Sequence, residues 1–189
     1  EIGWDGTDPL DPADDALAFA ITDGASNADQ AATAVDEAGN LHIVWTDDRD
    51  GNAEVYYQLR DPIGGLLIGP TRVSSADGAA SRRPDIAVDS LGRVHLVWQD
   101  GGQCTDEVLY AQLDPVAVAW DGSPSSFVGI AVGDRVLLSD DDCNDGTAPR
   151  IAIDGMDRSH VVWTDFSEGG GMRYLRLDPA GTLALGPIW

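Results

Sequence analysis

The chain has 189 residues, 33 acidic and 11 basic, for a formal charge of −22; every basic residue is Arg, and 28 of the acids are Asp. Such a polyanion is repelled by phosphate backbones and anionic bilayer surfaces, and it carries no apolar run long enough to span a membrane, so neither nucleic acid nor membrane insertion is expected. A hydrophobic share of 43% with six Trp nonetheless predicts a packed core.

In chain order, residues 1–16 read as an N-terminal arm. Leu17 to Thr22 is an apolar strand followed by the polar connection Asp23 to Gln30. Three similar units follow, with cores at 31–62, 84–115 and 149–179 inside a repeat region of 17–189. Each unit runs A-[VI]-D, a tight turn, H-x-V-W-x-D, a loop, a Tyr-bearing strand and an Asp-Pro pair. From Asp36, Asp89 and Asp154 to Trp45, Trp98 and Trp163 the spacing is nine residues each time. Constant spacing within units and variable spacing between them marks one module used three times. Its segments are short, β-branched and aromatic, and Gly39 and Gly92 supply the turns, with Asp157 standing at the third such position. Outer strands are expected near Pro70 to Ser74 and Asp134 to Ser139. Four short strands per unit of about 50 residues predict an all-β chain of propeller blades.

The string P-x-I-A-V-D-x-x-G-x-x-H-x-V-W-x-D, with D-x-R-D-G-N-x-E-x-Y-Y from Asp47 to Tyr57, resembles the repeats of sialidase-like β-propellers in secreted bacterial proteins. That resemblance covers three blades and implies architecture; the sialidase Asp-box S-x-D-x-G-x-x-W does not occur in this sequence.

Three blades are fewer than the four to eight that close a ring. The leading strand Leu17, Phe19 and Ile21 has no blade of its own, and Leu183, Leu185 and Trp189 read as the approach to an outer strand that is not reached. An orphan strand and an unfilled edge predict strand exchange between copies of the chain, as a ring or a filament, or else a fragment of a larger propeller.

His42, His95 and His160 recur once per unit and are expected as structural histidines bonded to backbone or carboxylate. Oxygen donors alternate at Asp48, Asp50 and Asn52 and again at Asp140, Asp142 and Asn144 with Asp145, which is the donor chemistry of calcium. Cys104 and Cys143 fall in loops on the same side of adjacent blades and are expected to form a disulfide, which places the protein outside the cell or at its surface. Glu1 in place of an initiator Met reads as a processed or excised chain. No nucleophile elbow, Cys/His pair or metalloprotease motif is present, so no catalytic residue is assigned. The sequence therefore predicts a non-enzymatic, self-assembling extracellular propeller module with calcium or disulfide support. A glycan-binding propeller and a fragment of a sialidase-like hydrolase are the alternatives.

Overall fold

The computed structural model describes residues 20–101, 106–113, 135–139, 146–166 and 170–185, and the regular structure within them is entirely β. Three four-stranded antiparallel sheets form. Sheet I comprises β1 (Ala28–Val35), β2 (Leu41–Asp47), β3 (Glu54–Arg60) and β4 (Leu66–Arg72). Sheet II comprises β5 (Ser81–Val88), β6 (Val94–Gly101), β7 (Asp106–Leu113) and β8 (Val136–Leu137). Sheet III comprises β9 (Gly146–Ile153), β10 (Ser159–Asp165), β11 (Gly171–Leu177) and β12 (Leu183–Leu185). In every sheet the strands lie in sequence order, and the first strands β1, β5 and β9 are neighbours from sheet to sheet. The sheets thus stand as blades with their first strands innermost.

The repeat motif explains the packing. Central strands are apolar on both faces, and sheet II, the middle one, has a sheet on each side. Val44, Tyr57 and Leu59 of sheet I meet Leu96, Trp98 and Leu113 of sheet II in one core. Val97 and Tyr110, on the other face of sheet II, meet Val161, Trp163 and Leu175 of sheet III in a second. The A-[VI]-D turns close through their aspartates: Asp36 Oδ1 accepts from Asn40 N at 2.8 Å, and Asp89 and Asp154 accept from Arg93 N and Arg158 N. Gly39 and Gly92 take φ of 83° and 77° there, and Asp157 takes 58° at the same place. Asp157 serves a second purpose, since its carboxylate accepts from both Ser90 N and Ser90 Oγ and ties sheet III to sheet II.

Two expectations about strands are corrected. In sheet II β8 falls within the expected Asp134 to Ser139, whereas in sheet I the outer strand begins directly after the Asp-Pro turn, so β4 starts at Leu66, paired with Arg60, rather than near Pro70. By the same register Leu183 pairs with Leu177, and β12 is the outer strand of sheet III. Leu183 and Leu185 thus belong to the outer strand itself and not to the approach to it, because the strand starts as soon as the turn after Asp178 closes. The vacancy on which strand exchange rested is filled by the chain itself. At the other end, Ile21 lies in a bend and not in a strand, and it packs on Ile43, Trp45 and Tyr56. Leu17, Phe19 and Trp189 lie outside the described residues, as does the arm 1–16.

A real vacancy exists elsewhere. Val55 and Val108 are 0% exposed, whereas Met172, at the equivalent position of sheet III, is 66% exposed. Val44 and Val97 are likewise 0% exposed, whereas Val162 is half-buried. The face of sheet III that points away from sheet II is built like the covered faces of the other two and stands open.

Candidate functional site

Each innermost strand carries a bulge opposite the repeat's Trp. The register of β1 on β2 passes from Asp29↔Thr46 to Ala32↔Val44, so Gln30 and Ala31 together face Trp45. Arg83 and Pro84 face Trp98 in the same way, and Ala148 and Pro149 face Trp163. A proline is tolerated at such a place because a bulge releases an N–H from the ladder. The first bulge residue is left-handed in all three sheets without being glycine: φ is 54° at Gln30, 50° at Arg83 and 52° at Ala148. Three strained residues stacked around one axis mark the part of the fold that is bent to a purpose.

The bulges line an open cleft of about 510 Å³, whose walls include Gln30, Arg83, Asp85, Ala148 and Arg150. A second cleft of about 340 Å³ shares Gln30 and adds Asp29, Thr46, Asp48, Asn52 and Arg82. Both volumes suit a small organic ligand. Hydrogen bonds across the sheets fix the walls. Gln30 Oε1 accepts from Arg83 N at 2.7 Å, Arg83 Nη1 donates to Gln99 Oε1 at 2.9 Å and to Thr147 Oγ1 at 2.6 Å, and Asp85 Oδ2 accepts from Ile151 N at 2.9 Å.

The repeat keeps its frame and changes its lining. After the bulge the units read alike, T-A-V-D, I-A-V-D and I-A-I-D. Around it three positions differ in all three units: Asp29, Arg82 and Thr147; Gln30, Arg83 and Ala148; Ala32, Asp85 and Arg150; the second bulge residue is Ala31 in the first unit and Pro84 and Pro149 in the others. Sequence reasoning passed over these residues because it read only what the units share. The signal that locates them is the stretch 29–32, 82–85 and 147–150 before the constant end of each strand, where the units share only the proline of the second and third.

The calcium candidates fall into two groups. Asp140, Asp142, Asn144 and Asp145 lie outside the described residues, as do Cys104 and Cys143 with their expected disulfide. Asp48 and Asn52 are brought to the second cleft, while Asp50 turns away. The Asp48 carboxylate accepts from Asn27 N at 2.8 Å and Asn27 Nδ2 at 2.6 Å, which holds its pKa below the ordinary range. Asp50 Oδ2 accepts from Tyr56 Oη at 2.6 Å and Arg72 Nη1 at 2.7 Å, and Asn52 Nδ2 donates to Ala79 O. Among the described residues no three His, Cys, Asp or Glu side chains converge on a metal position.

The histidines are structural, each bonded to a carboxylate and a phenol. His42 Nδ1 lies 2.8 Å from Tyr57 Oη and its Nε2 lies 3.4 Å from Asp36; His95 and His160 repeat the arrangement with Tyr110 and Asp89 and with Tyr174 and Asp154. Burial lowers the pKa of His42 and His95 despite the neighbouring carboxylates, and it pushes the Tyr110 hydroxyl up to about 12.

No family model matches the chain, and no curated protein matches it. Solved structures do. A thermostable family-43 glycoside hydrolase superposes with a TM-score of 0.56 at 13% identity over 88% of this chain. An endo-arabinase of Bacteroides thetaiotaomicron superposes at 0.51 and 14% identity over 90%. A family 117 glycoside hydrolase of the marine bacterium Zobellia galactanivorans superposes at 0.51 and 14% over 88%. The chain spans 61%, 59% and 56% of those three chains. At this identity the likeness shows the fold: three blades of a β-propeller, an incomplete ring. These three neighbours are glycoside hydrolases, and not specifically sialidases. They also overturn the expectation that the chain is not an enzyme. The missing motifs excluded catalysis only by short sequence signature, whereas side chains gathered from separate blades leave no such signature.

Proposed function

We propose that the chain forms part of a carbohydrate-acting propeller and holds a saccharide in the axial cleft. The observation that carries this reading is the internal comparison above: the units differ where their bulges face the axis. Asp29, Asp48 and Asp85, with Gln30 and the arginines, offer the acceptors and donors that fix sugar hydroxyls. Asp85 on the first cleft and Asp29 and Asp48 on the second are also groups of the kind that glycoside hydrolysis requires. The glycoside hydrolase neighbours and the resemblance to sialidase-like repeats support the same class. The test is a panel of arabinan, galactan and uronate-containing oligosaccharides, read by thermal shift and by release of reducing ends. At least one is expected to raise Tm and to be cleaved, with cleavage reduced at least a hundredfold in Asp85→Asn while the variant stays folded. A panel that neither shifts Tm nor releases reducing ends contradicts the proposal.

The open face of sheet III favours a second reading, assembly with copies of the chain through a sheet face rather than through strand exchange. Met172 and Val162 are apolar side chains of a kind that blades I and II bury completely, and covering one such side chain is worth about 1.5–3 kcal/mol. Sedimentation of the intact chain and of Met172→Glu tests it: a multimer that the substitution reduces to 20 kDa supports assembly, and a wild-type monomer at high concentration refutes it.

A further inference from the structure

The charge distribution around the axis narrows the ligand class, on the reading that the cleft holds a saccharide. With 33 acids to 11 arginines, an arginine in this protein readily finds a carboxylate. Arg49, Arg72, Arg93, Arg158 and Arg173 each pair with an aspartate at 2.6 to 3.5 Å. Among the described residues Arg135 and Arg176 do not, and both are partly buried; the arginines of the innermost strands do not either, and they are exposed. Among the described residues no carboxylate lies in ion-pair reach of Arg82, Arg83 or Arg150, although all three are exposed on a protein of charge −22.

Arg83 and Arg150 line the same cleft. The acceptors that orient them are neutral: Gln99 Oε1 and Thr147 Oγ1 for Arg83, and Pro149 O at 2.8 Å for Arg150. A neutral acceptor fixes a guanidinium without cancelling its charge. Each of these arginines uses a single nitrogen, Nη1, in the bonds just named, which leaves further N–H groups for a ligand. Arg83 is moreover held in the left-handed region, at φ 50°, which L side chains rarely adopt. Two like charges brought to one cavity, against the excess of available carboxylates, are arranged for an anion that arrives from outside. Among the described residues Asp85 is the one carboxylate on that cleft's wall, and its Oδ2 is occupied by Ile151 N.

We propose that the saccharide bears an oxyanion, seated between Arg83 and Arg150. A uronate carboxylate and a sulfate ester share this chemistry, and both match the fork of a guanidinium. The binding of matched pairs, measured by calorimetry on the intact chain, decides it: oligogalacturonate against its methyl ester, and sulfated against desulfated galactan oligosaccharides. The expected result is at least tenfold tighter binding of the anionic member in one pair, and the pair that responds names the source. Arg83→Gln and Arg150→Gln are expected to bring the ratio of affinities within that pair close to one, and Arg72→Gln, which breaks a surface pair, to leave the ratio intact. Equal affinity within both pairs, or a preference that survives both cleft substitutions, overturns the oxyanion while leaving saccharide binding standing. Absence of binding by every member overturns both.

Discussion

At the scale of single residues, the three units serve as each other's controls. The Asp–His–Tyr arrangement is the same in each, but the His42 and His95 side chains are 1% and 0% exposed while that of His160 is 32% exposed. Tyr57→Phe removes the partner of His42 Nδ1 where water cannot replace it, and an unsatisfied buried group costs about 1–3 kcal/mol. Tyr174→Phe makes the same deletion beside a wet histidine and is expected to cost less than about 0.5 kcal/mol. Urea denaturation of the two variants checks this, and equal losses would show that sheet III is covered in solution. The same burial sets a pH dependence. The folded pKa values of His42 and His95 lie below the ordinary 6.5, so between those values the unfolded chain binds protons that the folded chain does not. Stability should therefore fall as pH drops below 6.5. Asp36 and Asp89 add the same sign below 3.8: burial opposes their charged forms, but hydrogen bonds from Asn40 and Arg93 outweigh it and lower both pKa values. Glu54, raised above 4.5 by burial, offsets part of the loss because its folded form takes up a proton first. A lower urea midpoint at pH 5.5 than at pH 7.5 is the expected result, and a flat profile contradicts it.

At the scale of elements, the bulged innermost strand joins fold to site. Its sign can be read by substitution within β9 alone. Ala148 sits at φ 52°, where glycine is free of the Cβ clash, so Ala148→Gly should stabilise by about 0.5–1 kcal/mol. Ala152 lies in the regular part of the strand, and Ala152→Gly should destabilise by a similar amount. Matching signs for the two would remove the strain from the argument. The elements were largely legible in the sequence. Four strands per unit, tight turns at Asp36, Asp89 and Asp154, and buried Trp follow from alternation, turn chemistry and spacing. The misplacement of β12 came from expecting one outer strand near Pro70, when a proline can enter a strand that pairs on one side only. The cleft was not legible, because a bulge has no fixed residue signature and Gln30, Arg83 and Ala148 share nothing but their backbone.

At the scale of the whole molecule, charge and symmetry point in one direction. The −22 surface belongs partly to the repeated turns, where Asp36, Asp89 and Asp154 close hairpins, and partly to the loops. Against that background the unpaired arginines stand at the axis, where three blades meet and where each unit departs from the others. A scaffold that repeats what holds it together and varies what it turns inward suits the proposed saccharide site, and three glycoside hydrolases share the fold. The measurement that tests this most directly is a crystal structure of the chain with the tightest-binding oligosaccharide of the panel. The account predicts sugar density between Gln30, Asp85, Arg83 and Arg150. An ordered sugar on the outer strands or on the open face of sheet III, with the axial cleft left empty, would contradict it.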